Sequence, residues 1–193
     1  MNRIFFHLLV IFSIACSREA TLDVADDFSP EMAMGVSAEA TSLTKGALVD
    51  DPEDMGSMGI YCAYTDDVKW WSGADFTKMS NSRFDINSNG EWVIYGTEVT
   101  WGYDSLDDYY TFFGYSPYGN DTQGVSPRIE AGELVVDYTV PASSLNQPDL
   151  MFATPRKDIH PQQVGTVALC FSHTLASVSF GVASSIDSKI LAV

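Results

Sequence analysis

The chain has 193 residues, of which 46% are hydrophobic and 12% aromatic, which is enough apolar material to build one sandwich-sized core. It carries 26 acidic and 10 basic residues, giving a formal net charge of −16. This composition excludes a disordered chain. It also argues against nucleic acid and a bare anionic membrane as partners, because both are bound through clustered Lys and Arg.

The N-terminus has the layout of a secretory signal. A short basic start ending at Arg3 precedes an apolar run, residues 4–14, that is too short to span a bilayer as a helix. The run ends in Ser-Ile-Ala before Cys16, which resembles the lipobox of bacterial lipoproteins. We expect residues 1–15 to be a lipoprotein signal peptide and Cys16 to carry the lipid, with ordinary cleavage beside a chance cysteine as the alternative.

Residues 16–42 are small, polar and acidic, as is typical of a tether between a lipid and a domain. Within this tether one segment has the period-two pattern of a strand. Its apolar residues alternate along one face: Met32, Met34, Val36 and Ala38. The acidic run at residues 50–54 is interpreted as a solvated loop.

The period-two pattern recurs along the rest of the chain, between clusters of Gly, Pro, Asn and Ser. No window of eleven or more residues after the signal has convincing helical periodicity. About seven short strands therefore predict an all-β, antiparallel sandwich. The predicted strands lie near residues 60–64, 83–86, 92–95, 109–115, 134–140, 167–171 and 178–182.

The segment Asp85-x-Asn87-x-Asn89-Gly90 matches the first half of a calcium loop. The twelfth position, where a bidentate Glu should close the site, is Gly96, and both flanks have strand patterns. We therefore expect a β-hairpin with an Asn-Gly turn and no metal. The alternative is a weak calcium site.

Few residues indicate catalysis or cofactor binding. There is no nucleophile elbow and no phosphate-binding Gly-rich loop, so no cofactor is expected. A lone His173 favours a structural role. Cys62 and Cys170 either form a bridge in an exported protein or are two buried thiols.

The four tryptophans fit core packing, and an exposed Trp70–Trp71 platform would instead favour a surface glycan-binding lipoprotein. The chain stops inside an apolar run at residues 188–193. We expect this run to begin a missing C-terminal domain, because an unpaired hydrophobic strand exposes backbone groups and apolar area.

Several stretches together resemble the fimbrillins, which are subunits of surface fimbriae in Gram-negative anaerobes. The resemblance runs from about residue 32 to the end. It is carried by residues 44–46, Trp92, Trp101, and residues 110–117, 138–140, 147–153 and 167–180.

The resemblance implies a transthyretin-like N-terminal sandwich at residues 43–187, in a non-enzymatic shaft, tip or anchor subunit at the outer membrane. It implies other fimbrial subunits as partners, joined by strand exchange, and a host or bacterial surface ligand. In some members a protease cuts after an Arg and removes the first strand. This chain has Lys45 in place of that Arg, which departs from the family's Arg-specific cut. We expect Lys45 to mark the cut and the strand at Met32 to Ala38 to be the exchangeable one.

Overall fold

The computed structural model describes residues 31–40, 52–102, 108–120, 124–143, 147–161 and 165–174. These residues form β-strands, joined by turns and one short 3-10 helix, Pro52–Met55. The predicted all-β fold is confirmed. Over the described ranges no helix is both long enough and apolar enough to cross a membrane.

One curled sheet dominates the fold, in the spatial order β1-β10-β8-β5-β2-β3-β4, with β9 also pairing with β5. A separate hairpin pairs β6 with β7. The strands are β1 Gly35–Ala40, β2 Ser57–Thr65, β3 Met79–Ile86, β4 Trp92–Ile94, β5 Tyr109–Ser116, β6 Val125–Glu130, β7 Glu133–Tyr138, β8 Met151–Ala153, β9 Arg156–Ile159 and β10 Thr166–His173.

The described residues hold ten strands, against about seven predicted. The additional strands include β8 and β9, which are three and four residues long and too short to show an alternating pattern. Pairing is antiparallel except between β1 and β10, which run parallel. The predicted strand at residues 178–182 and the apolar run at residues 188–193 lie outside the described residues.

Two apolar clusters cover the two faces of the large sheet. On β2, Ile60 and Cys62 belong to the first cluster, while Tyr61 belongs to the second. The sheet curls around the first cluster, and the β6–β7 hairpin covers the second with Leu134, Val136 and Tyr138. Because β2 and β5 are covered on both faces, their buried residues run almost continuously.

The predicted hairpin at residues 83–95 is confirmed. Strands β3 and β4 pair from Phe84 opposite Ile94 to Ile86 opposite Trp92. The Oδ1 of Asn87 accepts hydrogen bonds from the backbone N–H of Asn89 at 2.8 Å and of Glu91 at 3.0 Å. Gly90 has a φ of 80°, a conformation that costs glycine little and other residues more.

Candidate functional site

Strand β1 contributes the apolar face that its sequence predicts. Met34, Val36 and Ala38 are 5%, 2% and 8% exposed and lie in the first cluster, while Met32 packs against it partly buried. Gly35 and Ser37, which alternate with them, are partly buried, and Glu39, which follows Ala38, is exposed. The segment thus behaves as an amphipathic strand with three inward side chains.

Along its length β1 pairs in parallel with β10, from Gly35 opposite Thr166 to Ala40 opposite Phe171. Gly35 is needed for this approach, because a Cβ there would lie 2.6 Å from Oγ1 of Thr166. The facing residues Val167, Leu169 and Phe171 are at most 1% exposed. The close approach of β1 to β10 therefore lets both strands bury their apolar side chains in the first cluster.

The residues that lead into β1 bind the opposite end of the sheet. The N–H of Met34 donates to the carbonyl oxygen of Val99 at 2.7 Å, and the N–H of Trp101 donates to that of Met32 at 3.2 Å. Ala33 forms an isolated antiparallel bridge with Thr100. Residues 31–40 therefore close a seam between β10 and residues 99–101, which we call the β1 seam.

The wall of the β1 seam around Trp101 is held independently of β1. Trp101 is fully buried, and its ring meets that of Tyr110 edge-on at 5.0 Å between centroids. The Tyr110 hydroxyl donates a hydrogen bond to the Trp101 carbonyl. The Nζ of Lys78 donates to the same carbonyl at 2.8 Å. The same ammonium lies 5.6 Å from the ring centroid of Tyr64. This wall is preorganised by contacts with β2, with β5 and with Lys78, the residue before β3.

Withdrawal of residues 31–40 would leave an apolar groove. It would uncover Trp101 and the inward residues of β10, and it would leave backbone N–H and C=O groups unpaired on both rims of the seam. Such a groove accepts an extended segment, because an added strand satisfies the backbone groups and covers the apolar floor together.

Two sequence-predicted site residues, Cys16 and Lys45, lie outside the described residues, so lipidation and processing stay predictions. Cys62 is a free thiol, completely buried in β2, and so does not form the Cys62–Cys170 bridge that the sequence left open. Burial raises the pKa of the Cys62 thiol far above its ordinary value of 9.0, so it is an inert packed group.

The oxygens of the calcium-loop look-alike are engaged within the hairpin. Asp85 forms an ion pair with Arg83 at 2.8 Å, and the Asn87 oxygen accepts the two turn N–H groups. Asn89 contributes its own N–H to that turn. These contacts favour the hairpin interpretation over a calcium site. Elsewhere, Asp66, Asp67 and Asp108 bring three carboxylates within 4.8 Å of one another, without further indication of a metal.

His173 is packed as a structural residue. The side chain of His173, at the end of β10, is 6% exposed, and its Nδ1 lies 2.8 Å from Oδ2 of Asp149. This contact ties β10 to the segment before β8, as expected for a packed histidine with a polar partner.

The tryptophans form no exposed pair. Trp101 is core, and Trp70 packs against Phe113 at 5.7 Å with the Lys157 ammonium 3.9 Å from its ring centroid. Trp71 is 50% exposed, whereas Trp92 is partly buried against the first cluster. The prediction that the tryptophans pack in the core therefore holds for Trp70, Trp92 and Trp101 and not for Trp71.

Sequence reasoning missed the partner segment of β1. Val99, Thr100 and Trp101 alternate apolar, polar and aromatic, but three residues are too few for a strand prediction. The parallel pairing with β10 joins residues more than 120 positions apart, and no local pattern encodes such a register.

The model of the fimbrillin-like family matches residues 57–192, which begin at β2 and leave β1 outside the match. No curated protein matches the chain.

Two similar solved structures are candidate cell adhesion proteins from Bacteroides. The one from Bacteroides uniformis is 18% identical over 61% of this chain and 41% of its own, with a TM-score of 0.38. The one from Bacteroides ovatus is 14% identical over 73% of this chain and 52% of its own, with a TM-score of 0.41. The chain thus spans about half or less of their lengths. Since the family model covers well over half of the chain, this protein belongs to the fimbrillin-like family, a family of structural adhesion subunits of the cell surface and not of enzymes.

Proposed function

We propose that this protein is a subunit of cell-surface fimbriae that joins its neighbours by strand exchange at the β1 seam and is held at the outer membrane by a lipid on Cys16. The observation that carries the proposal is the position of β1. Among the described strands it lies at the edge and pairs, in parallel, with β10 alone, and its lead-in segment closes the sheet against residues 99–101.

The energetics of β1 favour replacement. Its three inward side chains contribute on the order of 5 kcal/mol of apolar burial. Ordering the segment costs about 1 kcal/mol per residue before hydrogen bonds are counted. The net docking free energy is small, so a donor strand with larger apolar side chains from another subunit can displace β1.

Covalent separation of β1 from the rest of the subunit requires a cut on its C-terminal side. Lys45 is the single basic residue between Glu19 and Val68, and it follows the end of β1 by five residues. Cleavage there would leave β1 held in the seam by non-covalent contacts alone. A donor could then compete for the groove.

Brief trypsin treatment of the folded protein tests this proposal. We expect a new N-terminus at Gly46, with residues 52–174 intact, and no such product from a Lys45→Gln variant. Lys78 should resist because its ammonium is held by the Trp101 carbonyl, and Arg128 should resist because it lies within the paired strand β6. Earlier cleavage at either of these two sites would contradict a releasable β1.

A peptide competition then tests exchange itself. A fluorescent peptide with the sequence of residues 31–42 should enter the cleaved protein and displace the native segment, as followed by anisotropy. The same peptide carrying Val36→Asp is the matched control and should not bind. Stable retention of the native segment against excess peptide would show that the cut strand is a permanent part of the subunit.

A further inference from the structure

A pocket lies at the β3–β4 end of the large sheet and shares one lining residue, Val99, with the β1 seam. It has a volume of about 530 Å³, within the range of small-ligand sites. Strand β3, the residues that follow β4 and the turn after β5 form its walls. Polar and aromatic side chains dominate the lining, including Asn81, Arg83, Tyr95, Tyr118 and Asn120.

The hydroxyl of Tyr115, behind the pocket, supports the lining residue Asn81. This group donates to Oδ1 of Asn81 at 2.7 Å and accepts the N–H of Gly119 at 2.8 Å. The ring needs Gly59 beneath it, because a Cβ there would lie 2.2 Å from a ring carbon. Asn81 has a φ of 56°, a region in which asparagine is enriched. The hydrogen bond from Tyr115 holds the oxygen of its side-chain amide.

The aromatic walls are set by Arg83. Its guanidinium carbon lies 5.3 Å from the ring centroid of Tyr95 and 5.6 Å from that of Tyr118. The N–H of Tyr95 donates to the carbonyl of Arg83 at 2.8 Å, so the two residues are cross-strand neighbours. The amide of Asn120 donates to the Tyr118 hydroxyl at 2.7 Å. These contacts order the pocket before any ligand arrives.

Tyr95 lines the pocket and is 73% exposed. Beside it stand the partly buried side chains of Ile94 and Val99. A pyranose has a flat face of C–H groups and a rim of hydroxyls. An exposed aromatic face next to fixed amides offers each of these surfaces a partner.

The charge around the pocket selects among sugars. Arg83 is paired with Asp85 at 2.8 Å, so its positive charge is offset locally. The whole chain carries a net charge of −16, which opposes the approach of an anion. We propose that this pocket binds a neutral carbohydrate, with a pyranose ring stacked on Tyr95 and its hydroxyls bonded to the amides of Asn81 and Asn120.

An oligosaccharide array tests the proposal on the purified full chain. The array should contain glucose-, galactose-, mannose- and fucose-terminated glycans together with their sialylated counterparts. We expect retention of neutral members, and the dissociation constant of the best one is then measured by calorimetry. The absence of binding to every neutral glycan at millimolar concentration, or a preference for sialylated ones, would overturn it.

Variants assign the binding to the pocket. Tyr95→Ala should weaken binding about tenfold or more, as for other central aromatic contacts. Tyr95→Phe retains the ring and should bind within about threefold of the parent. Trp71→Ala removes the exposed indole elsewhere on the surface and should change nothing. Equal binding by Tyr95→Ala and the parent, or loss of binding in Trp71→Ala, would refute the assignment. Peptide exchange at the β1 seam should be the same in all three variants.

Discussion

A buried charge in β1 should separate release of this strand from unfolding of the sheet. Val36 is 2% exposed, so Val36→Asp loses about 2 kcal/mol of apolar burial. A carboxylate left unpaired there costs several kcal/mol more, on the order of 3 to 5. The sum equals or exceeds the gross apolar contribution of β1, about 5 kcal/mol. Release of β1 is therefore cheaper than burial of the charge, and the cost to the remaining fold is capped at the docking free energy of the strand.

Hydrogen exchange measured by mass spectrometry distinguishes the outcomes. In Val36→Asp, peptides covering β10 and residues 99–101 should lose protection, while those covering β2 and β5 keep it. Ser37→Asp is the matched control, since Ser37 lies on the other face of β1 and its change should leave protection in place. Loss of protection across all strands of Val36→Asp would refute a separable β1, and so would full protection of β10.

Three further predictions follow from single residues. Cys16→Ala should move the protein from the membrane to the soluble fraction, and continued acylation with membrane sedimentation would contradict Cys16 as the anchor. Burial raises the folded-state pKa of the Cys62 thiol above its ordinary value of 9.0. The contribution of this protonated thiol to the free energy of unfolding is therefore complete below pH 9 and is lost as the pH rises above 9. The free energy of unfolding should fall with an extra slope of about 1.4 kcal/mol per pH unit above pH 9, and this increment should be absent in Cys62→Ala in denaturant titrations. Gly90→Ala, at a φ of 80°, should cost about 1 kcal/mol in the same titrations, whereas Gly165→Ala, with open space around it, should be neutral.

Local patterns predicted the elements whose signal is local. The hairpin at residues 83–95 follows from the Asn-Gly turn between two alternating runs, and both flanks lie where the pattern puts them. The alternation at Val167, Leu169 and Phe171 predicted the inward face of β10. The same pattern predicted β1, even though propensity there is weak.

Long-range features were not accessible in this way. The alternation of Leu134, Val136 and Tyr138 resembles a strand of the main sheet, yet these residues form a separate hairpin over the second cluster. Alternation reports which side chains are buried and not which strand lies alongside. The pocket beside Tyr95 depends on a glycine in β2 and a turn after β5, residues that are far apart in sequence.

The topology supports our proposal that β1, and not a central strand such as β5, is the strand that exchanges. β5 pairs with β2 on one side and with β8 and β9 on the other, so its removal would divide the sheet. Removal of β1 leaves β10-β8-β5-β2-β3-β4 as one continuous antiparallel sheet, with Trp101 still fixed by Tyr110 and Lys78. The subunit can therefore keep its core while it offers a groove with two hydrogen-bonding rims. The pocket beside Tyr95 does not use residues 31–40, so a subunit whose first strand has been replaced would retain the surface that we assign to carbohydrate.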